Sequence, residues 1–179
     1  MKKLLKIIGV LILLFVAFVL IAGLIVKKDY HLERSITINA PKDSVWAFVN
    51  SLEKMEKWSP WLDADPNVKT SHEGQEGAIG SVYRWDGNKD VGKGNQTITK
   101  TEGPNNIDTH IEFIKPFSGQ ADTYLRLTDT TGGTKVTWGF DTRYKYPINV
   151  MQLFMDMDKM MSDQYNKGLS RLKALAEKK

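Results

Sequence analysis

The chain begins with a long, uninterrupted apolar run. Residues 7–26 carry no charged or strongly polar side chain over twenty positions. As an α-helix they would extend about 30 Å, the thickness of a bilayer's hydrocarbon core, with every backbone group hydrogen-bonded inside the helix. The pattern therefore predicts a transmembrane anchor within residues 1–28.

A cleaved secretory signal is the alternative interpretation of this run. Such signals have a shorter apolar stretch, about 7–15 residues, followed by small residues at the cleavage site. Ala22 and Gly23 are small, but the large apolar residues Leu24, Ile25 and Val26 follow them, and the sequence has no cysteine for a lipid anchor. We therefore interpret the run as a retained anchor.

Basic residues flank the apolar run on both sides. Lys2, Lys3 and Lys6 precede it, and Lys27, Lys28 and Arg34 follow it. A short basic tail before a long apolar run usually stays in the cytoplasm. We therefore expect a single-pass protein of the cell membrane whose globular part lies outside the cytoplasm.

After the anchor, alternation of apolar and polar residues predicts seven β-strands. The first contains Ser35-Ile36-Thr37-Ile38 and ends before Ala40-Pro41. Clusters rich in Gly, Asn, Asp and Pro separate the other six, which is the pattern of consecutive hairpins. These six lie at residues 68–72, 81–86, 92–102, 107–114, 121–129 and 134–141.

Helical periodicity replaces alternation in two places. Proline suits the first turn of a helix, so Pro41 predicts one that ends at Trp58-Ser59-Pro60-Trp61. Its apolar face comprises Val45, Phe48, Val49 and Leu52. A second, longer helix is predicted from Asn149 to Ala176, about 40 Å at 1.5 Å per residue.

The second helix has a predicted cap, an apolar stripe and an internal glycine. Asn149 is the expected N-cap, and Gln152 completes a capping box. Gly168 weakens the helix, so we expect it to allow close packing against the sheet. The stripe comprises Val150, Leu153, Phe154, Met157, Met160, Met161, Tyr165, Leu169, Leu172 and Leu175.

Charge argues against nucleic-acid binding once the anchor is set apart. The whole chain carries a formal charge of +4. Five of its lysines flank the apolar run, and without them 20 basic residues face 21 acidic ones. The positive excess therefore belongs to the membrane flanks, and residues 29–179 form one nearly neutral domain.

The order of elements and several short segments resemble the helix-grip superfamily (SRPBCC, START-like), which includes birch-pollen-allergen-like proteins, START lipid-transfer domains and polyketide cyclases. The segments are Ile36-Thr37-Ile38-Asn39-Ala40-Pro41, Trp58-Ser59-Pro60-Trp61, Tyr83-Arg84-Trp85, Phe113-Ile114-Lys115-Pro116-Phe117 and Gly133-Thr134-Lys135-Val136-Thr137-Trp138, of which the last three resemble the polyketide cyclase/dehydrase branch. The resemblance implies an α+β fold in which a seven-stranded antiparallel sheet curls around a long C-terminal helix. It also implies a cavity for a hydrophobic ligand, and it transfers no catalytic set.

Strand parity indicates which side chains would face such a cavity, because residues two apart share a face. Ile107, Thr109, Ile111 and Phe113 would face inward, whereas Asp108, His110 and Glu112 would face outward. Ordinary core packing is the alternative role for the inward aromatic and Met residues. The predicted ligand-binding residues are Trp58, Trp61, Tyr83, Trp85, Ile111, Phe113, Trp138, Phe140, Met157 and Met161.

The candidate metal ligands do not form a recognisable motif. His31, His72 and His110 are scattered without paired metal-ligand spacing, so we interpret them as surface residues. Asp63 and Asp65 lack the rest of a calcium loop and are interpreted as turn residues. We predict no metal, no cofactor and no catalytic residue.

The leading hypothesis is a membrane-tethered domain that binds a lipid or another hydrophobic small molecule, with no nucleic-acid partner. One alternative is a polyketide cyclase/dehydratase-like enzyme, for which Tyr83, Gln96 and Thr123 are polar candidates within the expected cavity. The other is a protein-interaction or sensing module that uses its outer face, with an unknown protein partner. The sequence leaves catalysis uncertain and favours binding.

Overall fold

Seven antiparallel strands follow a long N-terminal helix in the computed structural model, which describes residues 1–178. The elements are α1 (Lys2–Ile25), β1 (Asp29–Ile38), α2 (Lys42–Trp46), α3 (Leu52–Glu56), β2 (Lys69–Glu73), β3 (Val82–Asp86), β4 (Lys93–Glu102), β5 (Asn106–Lys115), β6 (Gly119–Thr130), β7 (Gly133–Arg143), a 3-10 helix (Ile148–Leu153) and α4 (Met157–Ala176).

The strands form one sheet in the order β1-β7-β6-β5-β4-β3-β2. All seven predicted strands are present, and the predicted α+β helix-grip architecture is confirmed. Strand β1 begins at Asp29, earlier than the alternation indicated, because it pairs with β7 from Asp29 opposite Arg143 to Ile38 opposite Thr134. The chain therefore passes almost directly from α1 into the sheet.

The hydrophobic core lies between the sheet and the helices. Every second strand residue points inward, so one face of the sheet is apolar and is covered by α4. Ile38, Ile98 and Val136 on the strands and Leu172 on α4 are fully buried. This packing leaves the opposite sheet face to charged side chains.

The prediction of one helix from Pro41 to the Trp58 region is wrong. Two short helices replace it, α2 and α3, and α3 has its own cap because the Ser51 side chain accepts a hydrogen bond from the Lys54 backbone N–H at 3.3 Å. Val45 and Leu52 are still buried as the pattern indicated. Apolar spacing thus identified the buried face but not the break between the helices.

The prediction of a continuous terminal helix beginning at Asn149 is also wrong. A 3-10 helix and a short break precede α4, whose N-cap is Asp156, accepting from the Lys159 backbone N–H at 2.9 Å. The Asn149 side-chain amide instead donates to the carbonyl oxygens of Gly23 and Val26, each at 2.8 Å. Asn149 therefore caps the end of α1 rather than the start of α4.

Gln152 does not complete a capping box either. Its side-chain amide donates to the Lys27 carbonyl oxygen at 2.9 Å. Because the 3-10 helix turns toward α1, several residues of the predicted apolar stripe face away from the sheet. Leu153 and Phe154 are 55% and 67% exposed, whereas Met160 on α4 is 52% exposed but still borders the cavity.

Among the described residues, α1 is the helix that is long and apolar enough to cross a membrane, a property that signal sequences share. Its C-terminal part contacts the rest of the protein. Gly23 is buried there, and a Cβ at that position would lie 2.9 Å from the Tyr146 ring. The glycine therefore permits a close approach that a larger residue would obstruct.

Gly168 has the packing role that the sequence indicated. A Cβ there would lie 2.8 Å from the Trp138 ring and 3.2 Å from Pro60 Cδ. We expect Gly168→Ala to lower the free energy of unfolding by about 1 kcal/mol, because overpacking outweighs the gain in helix propensity. Urea unfolding checks this, with Ser170→Ala on the exposed side of α4 as the control. Equal or higher stability of Gly168→Ala would contradict the packing role.

A candidate cavity for a hydrophobic ligand

A cavity of about 500 Å³ lies between the inner face of the sheet and the helices. Strands β3 to β7 form its wall, α3 and the Trp58–Leu62 region cover one side, and the 3-10 helix and α4 cover another. Pockets of roughly 300–1,000 Å³ that are mainly apolar are typical of small-molecule sites. The volume is therefore sufficient for an organic ligand.

All ten predicted ligand-binding residues line this cavity. Trp58 is buried and packs edge-to-face on Trp138 with ring centroids 5.0 Å apart. Trp138 in turn stacks on Tyr165 of α4 at 4.1 Å. Trp58 and Trp138 therefore belong both to the hydrophobic core and to the wall of the cavity.

The two faces of β5 are as strand parity predicted. Thr109 and Ile111 line the cavity, whereas the neighbouring acidic and histidine side chains point away from it. On the outer face Asp108 pairs with Arg126, and His110 lies 2.7 Å from Asp122. A β-bulge interrupts β4 at residues 98–100, but Gln96 precedes it and faces the cavity.

A short chain of neutral polar side chains crosses the apolar wall. The Gln96 amide donates to Thr109 Oγ1 at 2.8 Å, and the hydroxyl groups of Thr109 and Thr123 are 2.7 Å apart. These bonds satisfy polar groups that would be costly to bury alone. The wall therefore offers hydrogen bonds to a ligand without presenting a charge.

Two carboxylates border the cavity, those of Glu56 on α3 and Asp90 in the β3–β4 connection, and Glu56 lies beside this wall. It accepts a hydrogen bond from the Tyr83 hydroxyl at 3.2 Å, and its other oxygen lies 3.0 Å from His72 Nε2. The His72 ring also packs on the Tyr83 ring at 4.9 Å. The three side chains form a hydrogen-bonded cluster at the boundary between cavity and solvent.

Glu56 is absent from the predicted site residues, because those were aromatic, Met and strand positions. The available signal was helical spacing, since Leu52, Met55 and Glu56 lie three and four positions apart and all border the cavity. Three further lining residues were not predicted, Ile148, Met151 and Met155, which belong to the 3-10 helix and the break after it. Those residues reach the cavity because the terminal helix is interrupted.

Burial, reinforced by the adjacent Glu56 carboxylate, raises the pKa of Tyr83 well above its ordinary value of 10.0. The folded protein then keeps this proton at a pH where the unfolded chain has lost it, so stability falls as pH rises above about 10. We expect Tyr83→Phe to lose stability less steeply between about pH 9 and pH 11. Urea unfolding across that range checks this, and parallel curves for the two proteins would contradict it.

Asp63 and Asp65 lie in the turns that connect α3 to β2, as interpreted from the sequence, and Asp63 also joins this connection to α4. Asp63 accepts from both terminal nitrogens of Arg171, at 2.9 and 2.8 Å, and this bond holds the pKa of its carboxyl below the ordinary range. Asp65 accepts from the backbone N–H groups of Asn67 and Asn88. Within residues 1–178, no three His, Asp or Glu side chains are grouped to hold a metal ion.

Solved structures with this fold come from varied proteins. Protein CV1439 from Chromobacterium violaceum matches with a TM-score of 0.59 at 13% identity, covering 85% of this chain and 99% of its own. The protein Ara h 8.0201 matches with a TM-score of 0.59 at 14% identity, covering 83% and 97%. At these identities the likeness establishes the fold alone.

A third similar structure is the two-domain ARO/CYC protein StfQ from the steffimycin biosynthetic pathway. Its TM-score is 0.60 at 12% identity, and the match covers 84% of this chain but 51% of StfQ. This chain thus corresponds to about half of StfQ. A search of curated proteins with the sequence found no significant match.

A family profile gives the assignment that the structural likenesses cannot. It describes polyketide cyclases, dehydrases and lipid-transport proteins, and it matches residues 29–177, most of the chain. The match begins at the first residue of β1 and includes every strand and α4. The protein belongs to the polyketide cyclase/dehydrase and lipid transport family.

Proposed function

We propose that this protein binds a lipid or another hydrophobic small molecule while anchored to a membrane. The observation that carries the proposal is the 500 Å³ cavity, whose wall is aromatic, aliphatic and thioether in character. Methionine side chains fit varied apolar shapes, and Met155, Met157 and Met161 border the space. The family assignment also supports hydrophobic ligand binding.

The hydrogen-bonded chain of neutral side chains indicates which polar group the proposed ligand carries. Thr109 and Thr123 hydroxyls and the Gln96 amide suit a hydroxyl or carbonyl group more than a carboxylate, which would need a cation for compensation. The cations that border the cavity are Arg143, the last residue of β7, and Lys145 just after it, and both are exposed. A mostly apolar ligand with one neutral polar group would match both the apolar side chains of the wall and its hydrogen-bonding groups.

The anchor in this proposal is residues 1–28, and residues 29–179 are the binding domain. Contacts to α1 support retention of the anchor, since Asn149 bonds the carbonyls of Gly23 and Val26 and Tyr146 bonds that of Leu20 at 3.2 Å. Cleavage near Ala22 or Gly23 would remove part of this interface. The basic N-terminal tail supports placement of the domain outside the cytoplasm.

Two measurements test the proposal. Mass spectrometry of purified residues 29–179 should detect a co-purifying apolar compound. The full chain in lipid nanodiscs should bind a fluorescent fatty ligand that unlabelled lipid displaces. Absence of both signals in correctly folded protein would remove the binding proposal.

A second candidate function is a cyclase- or dehydratase-like reaction, and the Glu56 carboxylate favours it. A general base must lie within hydrogen-bond reach of its substrate, and Glu56 is the acidic group that meets Tyr83 at the cavity wall. The Tyr83 hydroxyl donates a hydrogen bond to this carboxylate and so positions it at the cavity wall. Turnover of a polyketone-type substrate that Glu56→Gln abolishes without weakening ligand binding would support this function.

A further inference from the structure

Exposed apolar side chains are concentrated at one end of the domain. They occur in the connection from β5 to β6 and in the segment from the 3-10 helix to α4. Phe117 and Phe154 are each 67% exposed, and Leu153 is 55% exposed. Both segments border the same cavity, through Phe117 on one side and Ile148 and Met151 on the other. An exposed apolar surface of this kind marks a site of contact with a partner or a membrane.

Strand register places this surface at the end of the sheet next to α1. Arg143 at the end of β7 pairs with Asp29 at the start of β1, which follows α1 directly. Phe113 near the end of β5 pairs with Gly119 at the start of β6, and Ala121 pairs with Thr142. The β5–β6 connection therefore lies at the same end of the sheet as the membrane-length helix.

Contacts to α1 show how far along its apolar run the segment of residues 146–155 lies. The Phe154 ring packs edge-to-face on Phe18 with centroids 6.4 Å apart, and the Tyr146 hydroxyl reaches the Leu20 carbonyl. Phe18 lies eight residues before Val26, the end of the apolar run, which is about 12 Å along an α-helix. Phe154 is therefore level with a residue well inside that run.

Charge and backbone bonding favour a bilayer as the occupant of this surface. Lys28 lies 5.8 Å from the Tyr146 ring centroid, an arrangement typical of the interface where aromatic and basic residues meet lipid headgroups. The 3-10 segment also bonds its own backbone, through Val150 N–H to Pro147 O and Phe154 N–H to Met151 O. Bonded backbone groups reduce the cost of entering a hydrocarbon layer.

We propose that residues 146–155 and the β5–β6 connection, which contains Phe117, enter the same leaflet as the C-terminal part of α1. The cavity then opens into the bilayer rather than into water. Ile148, Met151 and Met155 belong to this segment and also line the cavity. This inference rests on the proposed anchoring and cavity function. It identifies the ligand class as apolar molecules already dissolved in the membrane, which reach the cavity without crossing water.

Single cysteines test the proposal cleanly because the chain has none of its own. The full-length variants Phe117→Cys, Phe154→Cys, Ile79→Cys and Leu14→Cys are labelled with the environment-sensitive fluorophore NBD and reconstituted in phosphatidylcholine vesicles. Vesicles with nitroxide-labelled acyl chains then quench labels that lie among those chains. Ile79 is the matched control, because it is apolar and 64% exposed but lies near the end of β3 that is farther from the β5–β6 connection. It comes just before the first residue of β3, roughly 17 Å along the strand direction from that connection.

We expect the labels at positions 14, 117 and 154 to lose most of their emission and the label at position 79 to lose almost none. Quenching at 14 without quenching at 117 and 154 would overturn leaflet insertion while leaving the anchor intact. No quenching at 14 would contradict the anchor itself, and fatty-ligand binding by the Leu14→Cys and Ile79→Cys variants, whose labels lie outside the cavity, reports separately on the cavity. Disulfide crosslinking of two chains through position 154, with no quenching there, would assign the surface to a second copy and overturn the proposal.

Discussion

Replacing Ile111 by tryptophan should weaken binding of a fluorescent fatty ligand at least about tenfold, or about 1.4 kcal/mol. Ile111 is half-buried on β5 and faces the cavity, opposite Gln96 of β4 and Ala121 of β6. An indole at this position would occupy space that the ligand needs. Tryptophan is also well suited to a strand, so the sheet should persist.

The neighbouring position provides the matched control for this experiment. Glu112 follows Ile111 on the same strand but is exposed on the outer face, so Glu112→Trp adds the same side chain outside the cavity. Titration of the ligand into both variants in nanodiscs compares the two. Equal affinity of Ile111→Trp and the unmodified protein, with both well folded, would mean that the ligand lies elsewhere.

The second large effect concerns stability. Trp58→Ala should lower the free energy of unfolding by about 3–5 kcal/mol, the usual range for removing a buried large aromatic side chain. Trp58 is 1% exposed, packs against Trp138, and donates from its indole nitrogen to the Phe48 carbonyl oxygen at 2.9 Å. Because domains are stable by only about 5–15 kcal/mol, the variant should be close to unfolding at physiological temperature.

Trp61 offers the comparison for Trp58, three positions along the same segment. It is 40% exposed and contacts Tyr165 with ring centroids 6.1 Å apart. We expect Trp61→Ala to lower the free energy of unfolding by roughly 1–2 kcal/mol, because folding buries less of the Trp61 side chain than of Trp58. Urea titrations followed by near-ultraviolet circular dichroism measure both. Similar losses for the two variants would show that Trp58 is not a principal core residue.

The strands and their inward faces were predictable because alternation is a property of a few consecutive residues. Thr109 and Ile111 lie on the inner face of β5 and His110 on the outer face, as a period of two requires. Helical spacing was equally local, and it identified Val45 and Leu52 as buried. The same spacing continues across a break, so it did not reveal that α2 and α3 are separate helices.

The terminal helix was predicted too long because its interruption depends on a distant part of the chain. Asn149 has the local character of an N-cap, but its amide bonds carbonyls of residues 23 and 26 on α1. A hydrogen bond across more than one hundred positions leaves no local pattern to find. Helical spacing from Leu52 could have indicated Glu56, but its partners Tyr83 and His72 come from other elements of the fold and were not predictable locally.

The amino-acid sequence alone determined the apolar run, the alternating strands and the amphipathic terminal helix, because periodicity and continuous hydrophobicity are read from neighbouring residues. Only the tertiary structure decided whether space remained between sheet and helix. That volume is the small difference between the space the backbone encloses and the volume of all its side chains, and it depends on the positions of every element. The contact of Phe154 with Phe18 was decided in the same way, by packing between segments that are far apart in the chain.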